Sequence, residues 1–106
     1  MSLVALHSIL REGREDGYDA AHAGIPDDLV AAHRRVGIHE WQIWRSGRHL
    51  FHLVECDDFD LAMRALEHDP ANERWQSLIG DYIDHFELPK GQMELPLVWR
   101  MSDQDK

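Results

Sequence analysis

Between residues 3 and 10 the chain reads Leu-Val-Ala-Leu-His-Ser-Ile-Leu, a short and mostly apolar run closed by Arg11, Glu12 and Gly13. That pattern predicts a buried or half-buried strand. Residues 14–36 have helical character but are interrupted at Gly24, Ile25 and Pro26. Proline fits the first turn of a helix and not its interior, so the stretch predicts one helix near 14–23 and a second near 27–36. Asp27 and Asp28 favour the second helix's N-terminal turn. Its inward stripe includes Leu29, Val30, Ala32, His33 and Val36, and Gly37 is its stop.

Period two takes over from His39 to Arg45, with Trp41 and Ile43 on one face and Gln42 and Trp44 on the other. Ser46 and Gly47 separate this run from Leu50-Phe-His-Leu-Val-Glu55, which predicts a β-hairpin. Apolar content on both faces implies that helices cover one side of the sheet and a second subunit the other. Asp57-Asp58-Phe59 opens a helix running to about Glu67, and His68-Asp69-Pro70 breaks it. Trp75, Leu78, Ile79, Tyr82 and Phe86 then predict a helix over 71–85, the strongest amphipathic signal in the chain. Leu95-Pro-Leu-Val-Trp-Arg-Met101 predicts a last strand with a proline near its start, and the polar tail 102–106 is expected to fray. The order is β-α-β-β-α-β, which predicts an α+β, ferredoxin-like sandwich with a four-stranded antiparallel sheet and helices on one face.

A length of 106 residues fits one compact domain over 1–106. A formal net charge of -9 repels polyanions, so nucleic acid is not an expected partner. No apolar run approaches the ~20 residues of a membrane helix, and no charged n-region precedes the first strand. A cytoplasmic protein with no membrane partner is therefore expected. Cys56 is the only cysteine, which rules out an internal disulfide and a thiolate metal cage. Eight histidines raise the question of a metal, but His49 and His52 lie three apart in a strand-like run and so point to opposite faces. His7, His33, His39, His68 and His85 make no HxxxH or HExxH pattern, and no metal site is expected.

Candidate chemistry centres on Tyr18-Asp-Ala-Ala-His22. In a helix, Tyr18 and His22 stand side by side on one face. An imidazole titrates near ~6.5 and can both donate and accept a proton at neutral pH. The pair alone is also what ordinary packing neighbours look like. Its surroundings give it weight.

Tyr18-x-x-x-His22, Gly37-Ile-His-Glu-Trp41-x-Ile43-Trp44, Leu50-Phe-x-x-Val-Glu55, Arg74-Trp75 and Glu94-Leu-x-x-Val-Trp follow one another with compatible spacing across nearly the whole chain. Each is loose alone, but the ordered set resembles the bacterial L-rhamnose mutarotases and their relatives acting on other 6-deoxy sugars. The resemblance implies an anomerase using no metal, nucleotide or other cofactor, built as a dimeric α/β barrel, hence a homodimer joined through the sheet face. It implies that His22 is the proton donor and that Tyr18, Trp41 and Trp75 line the site of a monosaccharide. Ala23-Gly24-Ile25-Pro26 stands where relatives commonly carry Asn-Pro-x-Trp-Pro, Trp41 where they often have Tyr, and Gln76 where they often have a second Trp. The altered wall leaves the sugar open between L-rhamnose and L-fucose.

The residues suit that chemistry. Anomer exchange removes a proton from the C1 hydroxyl and protonates the ring oxygen, so that the ring opens, rotates and recloses. General acid–base assistance of this kind is worth ~10²–10⁴ in rate. Trp41 and Trp75 offer flat faces for the C–H side of a deoxy sugar, while Tyr18 and Gln76 can hydrogen-bond hydroxyls. Glu55, if it faces inward, is a candidate partner base and equally a structural acceptor. The same fold also hosts cofactor-free monooxygenases, in which such His and Trp residues would bind a flat aromatic substrate, and non-catalytic ligand-binding modules.

Overall fold

The computed structural model describes residues 2–104; Met1 and the end of the tail, Asp105 and Lys106, lie outside the described residues. The chain runs β1 (Ser2–Leu10), α1 (Glu15–His22), α2 (Asp27–Arg35), β2 (Ile38–Ser46), β3 (His49–Cys56), α3 (Phe59–Glu67), α4 (Pro70–Ile79), β4 (Ile83–Phe86) and a terminal turn of helix, α5 (Met101–Gln104). The strands form one antiparallel sheet in the order β2-β3-β1-β4. This is the ferredoxin-like α+β arrangement the alternation of periods predicts.

Local chemistry explains most boundaries. Gly47, at φ +59, takes the left-handed conformation that lets a two-residue loop join β2 to β3. Asp58 caps α3 by accepting from the Leu61 amide at 3.0 Å, and Asp69 caps α4 by accepting from the Ala71 amide at 2.9 Å, with Pro70 just inside the first turn.

The helices cover one face of the sheet and form two apolar clusters there. The first gathers Val4, Leu6, Val54 and Cys56 from β1 and β3 with Ala32, Phe59, Ala62 and Leu66 from α2 and α3. The second gathers Leu10 and Leu50 with Tyr18 from α1 and Ile79 from α4. Between the clusters, at the intervening inward positions of β1 and β3, sit Ser8 and His52. They are the buried polar residues among those described, 0% and 7% exposed. The opposite face carries His7, His49, Phe51 and Trp44, and both Phe51 and Trp44 are exposed. Among the described residues no helix is long and apolar enough to cross a membrane.

Two predicted elements are corrected. The helix expected over 71–85 ends at Ile79, and Ile83–Phe86 form β4 instead. Tyr82 and Phe86 are four apart, a spacing that fits one helix face and, being even, one strand face as well. Pairing with β1 decides between them, and Gly80 caps α4 at a point where a Cβ would lie 2.8 Å from the Gln76 carbonyl oxygen. The strand expected over 95–101 does not form. Leu95 donates one backbone bond to Ala5 at 2.8 Å, Pro96 has no amide to offer the ladder, and Met101–Gln104 form the single exposed turn α5.

Candidate active site

Helix α1 carries the two central rings. Glu15 and Asp16 in its first turn and His22 in its last suit the helix dipole, although Tyr18 is its one buried residue. A fork from Arg45 on β2 holds the helix to the sheet, with Nε donating to Asp19 Oδ1 at 2.9 Å and Nη2 to Asp19 Oδ2 at 2.7 Å. So placed, the Tyr18 and His22 rings lie 4.0 Å apart at 32°. Trp75 on α4 meets His22 edge-on at 5.1 Å and 83°.

Hydrogen bonding fixes the imidazole's tautomer. His22 Nδ1 lies 3.0 Å from the Tyr18 carbonyl oxygen. A carbonyl only accepts, so Nδ1 carries the hydrogen and the neutral ring keeps its lone pair on Nε2. Burial holds the His22 pKa below the usual histidine value, against the opposing pull of the Tyr18 carbonyl and of Asp19. Burial, with a smaller contribution from Asp19, pushes the Tyr18 phenol well above its ordinary range, so its hydroxyl keeps its proton at any working pH. Among the described residues no buried side-chain polar atom lacks a partner, and the Tyr18 hydroxyl, His22 Nε2 and Trp75 Nε1 make no hydrogen bond. These three polar tips therefore reach accessible surface.

A second group crosses the sheet beside the first. Trp41, His52, Ser8 and Phe86 occupy successive strands, β2, β3, β1 and β4, on the helix face. Trp41 Nε1–H donates to His52 Nδ1 at 3.2 Å, and His52 Nε2–H donates to Ser8 Oγ at 3.0 Å. Phe86 lies over the His52 ring at 6.0 Å and 25°. His33 on α2 meets Trp41 edge-on at 5.7 Å, its own Nδ1–H donating to the Leu29 carbonyl at 2.7 Å. Burial first, then repulsion from His22 and His7, pushes the His52 pKa down to about 4.

Of the residues singled out from the sequence, His22 touches both Tyr18 and Trp75, and Trp41 belongs to the second group. Gln76 stays apart: it is exposed, its amide donating to Asn72 Oδ1 at 3.5 Å. Glu55 alternates out of phase with His52 and Val54 and lies on the open face, away from His22, so within one protomer it cannot serve as His22's partner base. His52, Ser8, His33 and Phe86 were not among the site residues predicted. The available signal was a polar residue in phase with an apolar inward stripe, Ser8 between Leu6 and Leu10 and His52 between Leu50 and Val54. Among the described residues no group of three or more His, Cys, Asp or Glu could hold a metal ion.

A family model described as L-rhamnose mutarotase matches residues 3–101. The chain belongs to the L-rhamnose mutarotase family. Membership supports an isomerase of the mutarotase kind, and both ring clusters fall inside the matched span. No curated protein matches the chain by sequence. Among solved structures, L-rhamnose mutarotase FA22100 from Formosa agariphila superposes with a TM-score of 0.75 at 16% identity, covering 95% of this chain and 99% of that one. Tetracenomycin F2 cyclase from Streptomyces glaucescens, a type-II polyketide cyclase, gives 0.62 at 18% identity, covering 94% and 95%. A NIPSNAP-like domain protein from Burkholderia xenovorans gives 0.53 at 19% identity, covering 95% and 96%. At these identities the likeness is one of fold, and the mutarotase shares it with proteins of other kinds.

Proposed function

We propose that the chain exchanges the α and β anomers of L-rhamnose, with His22 carrying the proton. One observation supports the reading above all: an imidazole whose Nε2 lone pair is unpartnered and accessible, flanked by Tyr18 and Trp75. In the reaction Nε2 takes the proton from the C1 hydroxyl as the bond from C1 to the ring oxygen breaks. The same imidazole returns that proton to the former ring oxygen, leaving an aldehyde. Rotation about C1–C2 presents the other carbonyl face, and the steps reverse. Tyr18, which does not ionise, steadies a sugar oxygen by donating a hydrogen bond, and the indole faces of Trp75 and Trp41 pack against the apolar side of the sugar. The measurement is NMR exchange spectroscopy of the anomeric protons, with L-fucose assayed beside L-rhamnose. Exchange of L-rhamnose no faster than in buffer would end this reading; comparable exchange of L-fucose would widen it to 6-deoxy-L-hexoses.

The pH dependence follows from the starting state. Because the neutral ring is the active form and burial lowers its pKa, exchange is expected to be level above pH 7. It should fall as pH drops through that lowered pKa. A rate that rises on acidification, after subtracting exchange in buffer, would mean that imidazolium starts the reaction.

We also propose a homodimer joined through the open sheet face. Leu3, Trp44 and Phe51 are exposed there, and the C-terminal stretch adds exposed Leu97, Val98 and Trp99, large apolar side chains of the kind a subunit interface covers. Light scattering at micromolar concentration should give twice the mass of one chain. A single-chain mass would contradict the proposal.

A further inference from the structure

We propose that His52 is a positioning residue, whose Nδ1 lone pair holds the Trp41 indole by its N–H while its Nε2–H is anchored on Ser8. The inference rests on the mutarotase reading for what Trp41 does, though not for the bonds themselves. An indole can only donate, so the 3.2 Å contact from Trp41 Nε1 requires an unprotonated Nδ1 on His52. The remaining hydrogen of the neutral ring then sits on Nε2, 3.0 Å from Ser8 Oγ. Both nitrogens are engaged, and His52 has neither a free lone pair to accept a substrate proton nor a free N–H to give one. Proton transfer therefore stays with His22, and His52 acts through Trp41.

The setting makes the pair effective. Ser8 and His52 lie between two apolar clusters, where a hydrogen bond is stronger and an unpaired polar atom is costly. Phe86 stacks on the outer face of His52 and shields it. Trp41 is otherwise only partly buried, touched edge-on by His33 and packed along one side on the first cluster. Neither contact fixes the rotation of the indole about its side-chain bonds; the His52 bond does. An indole locked in this way presents its face to the sugar without first losing rotamer freedom.

The test uses the full chain and begins without sugar. In a ¹H–¹⁵N spectrum the Trp41 indole signal is the one absent from Trp41→Phe. In the native protein it should exchange slowly with solvent, and it should move upfield in His52→Leu and in Ser8→Ala. A fast-exchanging native signal, unmoved in Ser8→Ala, would overturn the proposal even if His52→Leu failed to fold. With L-rhamnose, His52→Leu should raise KM about three- to tenfold, the worth of one hydrogen bond, and leave kcat nearly unchanged. His52→Gln, which can accept at its oxygen and donate at its nitrogen, should recover most of that loss. Adding His52→Leu to Trp41→Phe should raise KM little further. A fall in kcat at unchanged KM, or additive losses in the double variant, would overturn the proposal. A native protein that does not accelerate anomer exchange would defeat the mutarotase reading alone, and the indole signal would still decide what His52 holds.

Discussion

His22→Ala is expected to slow enzyme-catalysed anomer exchange by about 10²–10⁴ while leaving the fold in place, as general acid–base assistance is worth that much. The fold should survive because His22 sits in the last turn of α1, where its one hydrogen bond goes to its own helix, and because Tyr18 does the packing beneath it. Exchange spectroscopy with circular dichroism on the same sample separates the two effects. A folded variant that retains more than a tenth of native exchange would show that another group moves the proton. His22→Gln should be nearly as slow, since an amide can hold a sugar hydroxyl but cannot carry its proton.

Leu50→Ala is expected to produce the largest loss of stability. Leu50 is 0% exposed and lies in the second cluster with Leu10, Tyr18 and Ile79. Truncating a leucine so enclosed costs about 2–5 kcal/mol, through lost transfer energy and the cavity left behind. Small domains have only about 5–15 kcal/mol in total, so the melting temperature should fall on the order of ten degrees or more. Leu78→Ala is the control. Leu78 is half exposed on α4, and its loss should stay within about 0.5 kcal/mol. Thermal unfolding of the two variants side by side checks the prediction, and similar melting points would mean that the second cluster does not hold the domain together.

Legibility in the sequence follows the strength of local signals. From β1 to α3, each element is bounded by a change of hydrophobic period or by a turn residue of definite meaning, and the predicted and observed boundaries agree closely. Beyond Pro70 the signals conflict. The spacing of Trp75, Leu78, Ile79, Tyr82 and Phe86 continues a helical stripe straight across Gly80, where the chain in fact reverses. The stripe outweighed the glycine, and tertiary pairing with β1 decided otherwise.

The candidate site divides in the same way. Tyr18 and His22 are neighbours on one helix, so their contact is local and readable, and the ordered motifs added Trp75 and Trp41 to them. The run Trp41–His52–Ser8–Phe86 is not local. It crosses four strands, and its first link is diagonal, since Trp41 pairs with Val54 and reaches His52 two residues further along β3. Gln76 is the converse case: it follows Trp75 directly in the sequence, but adjacent helical residues point about a quarter-turn apart, and its amide meets Asn72 instead.

Cys56, packed in the first cluster behind β3, has one further consequence. Burial, reinforced by Glu94, Asp57 and Asp58, raises its pKa, and the thiolate is the form that peroxides and electrophiles attack. While the fold is intact the sulfur is neither ionised nor reachable. The protein should be as indifferent to oxidative stress as a chain with no sulfhydryl at all.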